Sequence, residues 1–303
     1  RQELLGLALP GAENLQEGER EVVQLGLDFK MFDFEKQYRH KVVEYMIEQY
    51  KAGLTPNPDI MCNQEVKFKL FLDTSLQDGA DLIATGHYAK VVDSRWQLAD
   101  GKKKNITSPN TNYQLPATKS LAMAKDTSKD QTYFLYRITG EAVSKTIFPL
   151  GELTKPEVRG LAKKFKLITA SKKESMGICF VGKVGIKDFL SQFVSTKAGK
   201  IINQQGVVVG EHDGAIYYTI GQRHGLNTGG GLPYYVTSKN MSKNEVYVTT
   251  NLNDKNLWAK QLTLTNCHWI NEAPKSSDKL KVRLRHQAAL LDVANFTKNT
   301  GTT

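Results

Sequence analysis

The apolar positions of the chain begin with a helical period. Between residues 38 and 50 every fourth residue is apolar, which predicts a helix with one buried face that ends before Gly53. The residues of this stripe are Tyr38, Val42, Met46 and Tyr50. A Pro-rich turn occupies residues 55–59, and the apolar residues within 66–71 predict a second helix.

A short apolar run, Asp81-Leu82-Ile83-Ala84-Thr85, closes in Gly86-His87-Tyr88. A run of this length without alternation predicts a buried parallel strand whose carboxyl end carries small and polar residues. Ligands of open α/β sheets bind at such carboxyl ends. The sequence therefore places a candidate binding edge at Gly86 and His87.

Two further features lie between residues 100 and 165. Residues 100–120 are polar and contain three consecutive lysines, which predicts a surface loop. Thr154 then precedes Pro156 and Glu157 in the pattern of a capping box, which predicts a helix start. The expected core stripe of that helix is Val158, Leu161, Ala162 and Phe165.

The pattern changes after Gly199, where short β-prone stretches alternate with Gly, Asn and Asp turns. Many short strands at such spacing predict a small barrel or sandwich. The stretches are residues 201–202, 207–209, 216–220, 234–236, 246–249, 261–267 and 280–284. The chain is thus expected to be α/β in its first two thirds and β-rich in its last third.

The charge adds a candidate partner. The 303 residues carry a net charge of +10, and the window from Lys155 to Lys187 has nine basic residues against two acidic ones. Such concentration favours a polyanion such as nucleic acid over a purely solvated face. The apolar runs are too short for a membrane span, and three cysteines are too few for a disulfide scaffold.

The three cysteines have different settings. Cys62 follows the Pro-rich turn near a helix start, where the macrodipole favours a thiolate, although a small buried hydrophobe fits equally. Cys179 follows Lys172 and Lys173, which suits an accessible thiolate, whereas its apolar neighbours suit a strand core. Cys267 is expected in the core. The separation of 117 positions from Cys62 to Cys179 excludes the close ligand pairs of a structural zinc site, and no protein-bound metal is predicted.

Three polar features have two interpretations each. Asp59 on the stiff turn is either a general acid or base or a helix N-cap, and His87 either binds substrate or is a satisfied structural histidine. The alternation from Lys279 to Arg285 predicts a strand with four cations on one face. That ridge suits a phosphate backbone slightly better than a solvated barrel face.

These stretches together resemble one family, the ATP-dependent tRNA 2-thiouridylases, over nearly all of residues 20–290. The matching segments are Gly53–Asn63, Val66–Phe68, Ala84–Ala89, Lys129–Gln131, Phe148–Gly151, Gly177–Phe180 and Tyr218–Arg223. The form of residues 173–177 and of 283–287 is most similar to the mitochondrial branch, where the wobble uridine is modified. The branch implies a mitochondrial location, or a cytoplasmic one if the source is bacterial.

The resemblance implies a fold and a chemistry. Residues 1–183 would be the remainder of an adenine-nucleotide hydrolase-like (PP-loop) parallel-sheet domain, 184–252 a central tRNA-binding domain and 253–303 a truncated β-barrel. ATP, with Mg²⁺ as its counter-ion, would adenylate the 2-oxygen of the uridine. A persulfide on Cys179, loaded by a sulfur relay protein, would supply sulfur, with Cys62 as its partner in sulfide release or a transient disulfide.

The resemblance also implies roles for further residues. Asp59 would be the acid or base, Asn57 and Pro58 would hold the extruded base, and Gly86 would lie against the nucleotide. The expected tRNA contacts are His87, Lys129, Asp130, Gln131, Arg283 and Leu284.

The chain departs from the family at one motif. The Ser-Gly-Gly-x-Asp-Ser loop that grips ATP occurs nowhere in the 303 residues, and residues 1–20 do not resemble the family. We therefore expect an incomplete chain that is inactive as it stands. The alternatives are a tRNA-binding remnant without turnover and an ATP-pyrophosphatase enzyme that acts on a small molecule, which the paired cysteines and basic tail disfavour.

Overall fold

The computed structural model describes residues 11–93, 96–99, 102–105, 118–172, 185–229, 231 and 233–297. Its α-helical segments are α1 (Gly11–Gln24), α2 (Glu35–Tyr38), α3 (Tyr45–Lys51), α4 (Pro58–Met61), α5 (Leu72–Gln77), α6 (Gly140–Ser144), α7 (Lys155–Lys164) and α8 (Ile186–Leu190). Its strands are β1 (Ile83–Ala84), β2 (Ala89–Asp93), β3 (Trp96–Ala99), β4 (Lys102–Asn105), β5 (Lys119–Met123), β6 (Thr146–Ile147), β7 (Gly199–Ile202), β8 (Val208–His212), β9 (Tyr235–Asn240), β10 (Glu245–Thr249), β11 (Leu280–Val282) and β12 (Leu291–Val293). Stretches of π-helix, Arg39–Glu44 and Cys62–Phe71, join α2 to α3 and α4 to α5.

The described residues form two compact units whose segments alternate along the chain. The first unit contains residues of Arg1–Gln16, Glu35–Pro58 and residues of Glu174–Asn266. The second contains Glu17–Phe34, residues of Asp59–Lys173 and residues of Cys267–Thr303. The change from one unit to the other after α3 falls between Pro58 and Asp59.

The first unit is built on a four-stranded sheet in the order β8-β7-β10-β9. Strand β10 pairs with β9 antiparallel and with β7 parallel. Val246 and Val248 of β10 alternate with less buried residues and point into the core together with Ile201 and Val236. The predicted β-prone stretches at residues 201–202, 207–209, 234–236 and 246–249 overlap these four strands, whereas residues 261–267, also predicted to be a strand, form none.

The helix predicted over residues 38–50 is confirmed in the first unit. Val42 and Met46 are fully buried and Tyr50 is 8% exposed, as the stripe requires. Met46 and Tyr50 pack with Phe189 and other apolar residues of the same unit. The helix stops where Gly53 adopts a φ of +79°, a conformation that favours glycine.

The second unit has the predicted parallel strand at its centre. Strand β1 pairs with β6 in parallel, with Ile83 opposite Thr146. Ile83 is 4% exposed and belongs to a core with Phe68, Leu135 and Phe148. The hairpins β2–β5 and β11–β12 complete the paired strands of this unit for which the side chains are described.

One predicted loop and one predicted strand differ from the observed structure. Residues 102–105, expected in a loop, form β4 and pair with β3. The Asp100-Gly101 dipeptide between them is a hairpin signal that outweighs the polarity of the lysines. Residues 216–220 do not form a strand, because neighbouring Ala215 and Ile216 are both buried in a 3₁₀ turn instead of alternating.

The helix after Thr154 begins as predicted but does not bury its stripe. The capping box of Thr154 and Glu157 is present at the start of α7. None of its residues is buried among the described residues, and Leu161 and Phe165 are 37% and 57% exposed. The spacing of the apolar residues predicted the helix correctly, but the prediction that these residues are buried was wrong.

Among the described residues, no helix is both long and apolar enough to cross a membrane.

Candidate functional site

The loop before Pro58 leads into a long helix that carries Asp59 and Cys62. Pro58 is the first residue of α4, where a missing N–H costs no helical hydrogen bond. The helix continues from α4 through the π-helical stretch into α5. Asp59 lies inside its first turn, so the N-cap alternative for this residue is wrong. Asn57 immediately precedes the helix.

Burial tunes the carboxyl group of Asp59. The side chain is half-buried, and desolvation raises its pKa above the ordinary value because the charged form loses hydration. The positive charge of Lys67 lowers the same pKa and offsets part of the effect. A raised pKa makes a carboxyl group easier to protonate, which favours a role in proton transfer.

Cys62 lies one helical turn after Asp59. Residues three apart on a helix share a face, so the thiol and the carboxyl group project from the same side. Cys62 is half-buried and opens the π-helical stretch, a distortion that is frequent at functional sites. The helix begins four residues earlier than Cys62, so the macrodipole acts on the thiol more weakly than at the first turn.

Lys67 is a residue of this helix to which the sequence analysis gave no role. Its positive charge lowers the pKa of both Asp59 and His87, so it acts on both groups of the candidate site. It is half-buried and forms no ion pair with a described residue. The sequence feature that could have identified Lys67 is its position eight residues after Asp59 on the same helix.

The carboxyl end of β1 carries Gly86 and His87 in opposite environments. Gly86 is exposed, and a Cβ there would meet only Leu150 at 4.0 Å, so its main chain is open to approach. His87 is 9% exposed and packs between Phe68 and Phe148. Its Nδ1 lies 2.9 Å from the Thr85 hydroxyl, and burial lowers its pKa to about 4. The structure places His87 as a neutral, satisfied side chain.

The Lys129-Asp130-Gln131 triplet contacts the chain that follows the carboxyl end of β1. The Gln131 side-chain oxygen accepts from the Tyr88 N–H at 3.0 Å, and the Gln131 N–H donates to the Tyr88 carbonyl at 2.8 Å. Gln131 therefore fixes the chain directly after His87. Lys129 is half-buried, whereas Asp130 is only 2% exposed.

Asp130 is fully engaged by protein donors. Its Oδ1 accepts from the Ala124 N–H at 2.9 Å, and its Oδ2 accepts from the Thr132 hydroxyl at 2.6 Å. The Arg283 guanidinium lies 3.4 Å from Oδ2. The Asp130 carboxylate thus faces the protein interior, where it holds the side chain of Arg283 in place.

The expected ridge from Lys279 to Arg285 is corrected. Strand β11 ends at Val282, so the alternation stops, and Arg283 turns toward Asp130. Lys281 pairs with Asp292 at 3.2 Å across the β11–β12 hairpin. Leu284, expected on the apolar face, is 49% exposed. Four aligned free cations are therefore absent from this described segment.

The remaining cysteines have separate outcomes. Cys267 is exposed, so the prediction that it lies in the core was wrong. Cys179 lies outside the described residues, and its expected approach to Cys62 stays a prediction.

The described residues do not by themselves fit the triphosphate of ATP. A phosphate loop presents several main-chain N–H groups to the phosphates, and the open backbone at Gly86 offers only one such approach. We therefore derive no step through ATP from the residues of this chain.

Known proteins with similar sequences identify the family. A profile for the "tRNA methyl transferase HUP domain" matches residues 8–183, and one for the "tRNA methyl transferase PRC-barrel domain" matches residues 187–250. The chain is similar to the tRNA-specific 2-thiouridylase MnmA of Bacillus thuringiensis strain Al Hakam, with 43% identity over 266 residues, 87% of this chain and 66% of that protein. The MnmA of Bacillus cereus strain ATCC 14579 is 41% identical over 281 residues, 91% of this chain and 70% of that protein.

The chain belongs to the tRNA-specific 2-thiouridylase family. The predicted fold class is confirmed by a HUP domain followed by a PRC-barrel domain, together with the parallel β1–β6 pair. The chain spans 66% of the length of the Bacillus thuringiensis relative. The predicted boundaries at residues 183 and 252 and the mitochondrial location stay predictions.

Proposed function

We propose that this protein forms 2-thiouridine in tRNA by exchanging the 2-oxygen of a uridine for sulfur. The supporting observation is the helix from Pro58, which carries a half-buried carboxyl group with a raised pKa and a half-buried thiol one turn apart. Family membership supplies the substrate class, because the 2-thiouridylase relatives carry the same activity in their names.

Asp59 is assigned the proton transfer. Its raised pKa makes its carboxylate a stronger base than that of an ordinary aspartate, which suits it to take up and pass on a proton. Oxygen leaves the uridine more readily once it carries a proton or a substituent, so a proton-donating group beside the base assists departure. Lys67 keeps the pKa from rising further and supplies positive charge near the departing group.

Cys62 is assigned the thiol chemistry together with Cys179. In this proposal the Cys62 thiolate attacks the inner sulfur of a Cys179 persulfide. A Cys62–Cys179 disulfide forms, the persulfide S–S bond breaks, and hydrosulfide leaves. Hydrosulfide adds to C2 of the uridine, and the 2-oxygen departs as water with one proton from Asp59 and one from the hydrosulfide. Two thiols of a reductant later reduce this disulfide by successive exchange, restore both cysteines and are themselves oxidised to a disulfide. A sulfur relay protein that delivers the persulfide is part of the proposal.

We assign the Lys129–Gln131 triplet and Arg283 to the surface of the second unit that faces tRNA. Asp130 acts as a positioning residue, since its buried carboxylate orients Arg283 instead of facing solvent. Gln131 acts in the same way on the main chain of Tyr88. Lys129, Arg283 and Leu284 remain the proposed groups for direct contact with tRNA.

The experiment is nucleoside analysis of tRNA by mass spectrometry. The protein is expressed from its own gene in bacterial cells that lack their 2-thiouridylase, so that any 2-thiouridine comes from this protein. Appearance of 2-thiouridine supports the proposal. Unmodified uridine in cells that contain folded protein contradicts it.

A second candidate function is tRNA binding without turnover, favoured by the absence of a Ser-Gly-Gly-x-Asp-Ser segment from the 303 residues. Binding of tRNA by the purified chain, with no thiolated product when ATP and a persulfide donor are present, would select this candidate.

A further inference from the structure

The Thr219–Gly225 turn of the first unit is held rigid by its own Gln222. The side-chain oxygen of Gln222 accepts from the Thr219 N–H at 3.0 Å, and its amide nitrogen donates to the His224 carbonyl at 2.9 Å. One side chain therefore clamps the main chain on both sides of Arg223. Gly221 supports the bend with a φ of +82°.

The same turn is joined to the sheet of the first unit. The Gly221 N–H donates to the Val236 carbonyl at 2.7 Å, and the Val236 N–H donates to the Gln222 carbonyl at 3.0 Å. Val236 is fully buried, so the turn is attached at a fixed point of the core. A residue carried by this turn has a defined position before any ligand arrives.

The turn also contacts the loop that contains Asn57. The hydroxyl groups of Thr219 and Thr55 lie 3.0 Å apart. Consecutive Cα atoms are about 3.8 Å apart, so the Asn57 Cα lies within about 7.6 Å of the Thr55 Cα. All three residues belong to the first unit. The turn is therefore a neighbour of the residue proposed to hold the target base.

A second contact fastens the start of that loop. A Cβ on Gly53 would lie 2.7 Å from the Met241 side chain, so the loop approaches the sheet closely. The Lys239 Cε lies 4.0 Å from the same Cβ position, and the Lys239 ammonium donates to the Tyr218 carbonyl at 2.8 Å. The loop is thus held at Gly53 and at Thr55.

The outward side chain at the tip of the turn is cationic. Arg223 is exposed and forms no ion pair or hydrogen bond with a described residue. Most exposed arginines can move freely, whereas this one is carried on a main chain that is clamped on both sides. A guanidinium group matches the oxygens of a phosphate with two parallel hydrogen bonds.

We propose that the Thr219–Gly225 turn is a tRNA-binding element in which Arg223 binds a backbone phosphate next to the nucleotide held at Asn57. The inference rests on the proposed function, because it takes tRNA as the substrate. An extruded base needs its flanking phosphates fixed, since phosphate contacts set register while the base enters its pocket. The joined Thr55 and Thr219 connect this phosphate contact to the base-holding loop.

The test compares Arg223→Ala with the wild-type chain in tRNA binding over a range of salt concentrations. The probe is a transcribed tRNA with an unmodified wobble uridine, followed by fluorescence anisotropy. Loss of one phosphate contact should lower the magnitude of the salt slope by about 0.7–0.9. At an ionic strength of about 0.15 M this corresponds to roughly four- to five-fold weaker binding.

Two further variants control the interpretation. Arg20→Ala removes an exposed arginine of the second unit that forms no ion pair with a described residue, and it should leave the slope unchanged. Arg223→Lys keeps the charge and should restore the slope, with part of the affinity still lost because a lysine cannot make the bidentate contact. Unchanged thermal unfolding of the three variants verifies that the fold is intact.

The outcomes separate this inference from the proposed function. Absence of tRNA binding by the wild-type chain overturns both. Wild-type binding with equal slopes for Arg223→Ala and Arg20→Ala overturns the inference alone. An Arg223→Ala variant that keeps the tRNA slope but loses affinity for polyglutamate assigns the turn to an acidic protein and also overturns the inference.

Discussion

Replacement of Asp130 by alanine tests whether this residue is a buried brace or a surface contact for RNA. The change removes an acceptor from three donors: the Ala124 N–H, the Thr132 hydroxyl and the Arg283 guanidinium. Asp130 is 2% exposed, so water cannot replace the lost acceptor without entering the structure.

The expected loss of unfolding free energy follows from these contacts. Leaving the buried Ala124 N–H unsatisfied costs about 1–3 kcal/mol. Breaking a buried ion pair by removing one partner costs about 3–5 kcal/mol, and the 18% exposure of the Arg283 side chain moves the value toward the lower end. The two effects overlap, so we expect Asp130→Ala to lower the free energy of unfolding by about 3–4 kcal/mol.

Urea-induced unfolding measures this loss, and the chain offers a matched control. Asp292 also pairs with a cation, Lys281, but its side chain is 85% exposed, and Asp292→Ala should cost about 0–1 kcal/mol. A double-mutant cycle of Asp130→Ala with Arg283→Met should give a coupling of about 1–3 kcal/mol. A cost equal to that of Asp292→Ala, or a coupling near zero, would refute the assignment of Asp130 as a brace.

Three further predictions concern protonation and ATP. His87 has a pKa of about 4 in the folded protein against 6.5 ordinarily, so the unfolded chain binds more protons between these values and stability should rise with pH across that window by about 3 kcal/mol. Thermal unfolding of His87→Phe should show a flatter pH dependence there, and an unchanged one would contradict the assignment. Hydrogen bonds to Thr154 lower the pKa of Glu157 to about 2, so its stabilisation of α7 should be complete above pH 4.5 and lost as the pH falls toward 2. Glu157→Gln should remove that acid loss in a urea titration repeated over this pH range. Calorimetric titration of the 303-residue chain should show no micromolar affinity for ATP, because the phosphate-binding segment is absent from its sequence, and such an affinity would be contrary evidence.

Local signals in the sequence predicted local structure correctly. The apolar residues that recur at every fourth position up to Tyr50 correctly predicted a buried helix face. The capping box at Thr154 correctly predicted a helix start. Both depend on residues within one or two turns of each other. The parallel strand at Ile83 was also predicted, but its predicted burial was wrong, because Ala84 is exposed and Leu82 is 44% exposed.

Long-range pairing was not predictable from these patterns. Arg283 belonged to an alternating run and was expected on a ridge, but its partner Asp130 lies 153 residues away in the chain. The carboxylate needed a cation once it was buried, and that requirement outweighed the period of the strand. The exposed stripe of α7 shows the same limit, since a period does not state what the helix packs against.

The candidate site divides in the same way. The residues of the Asn57–Cys62 segment were identified from the sequence because they are consecutive and follow a stiff turn. The role of Lys67 emerged only from its effect on the pKa of both Asp59 and His87. The support of the loop by Thr219 depends on a contact across 164 residues, which no local pattern contains.

The most direct test of the central proposal is the rate of 2-thiouridine formation by two cysteine variants. The protein is expressed from its own gene, and 2-thiouridine in tRNA is measured by mass spectrometry after induction. Cys62→Ser should abolish the product while tRNA binding stays near that of the wild type, because the thiol serves sulfur transfer and not affinity. Cys267→Ser, the exposed matched control, should form the product at the normal rate. Normal thiolation by Cys62→Ser, or loss of thiolation in Cys267→Ser alone, would contradict the proposal.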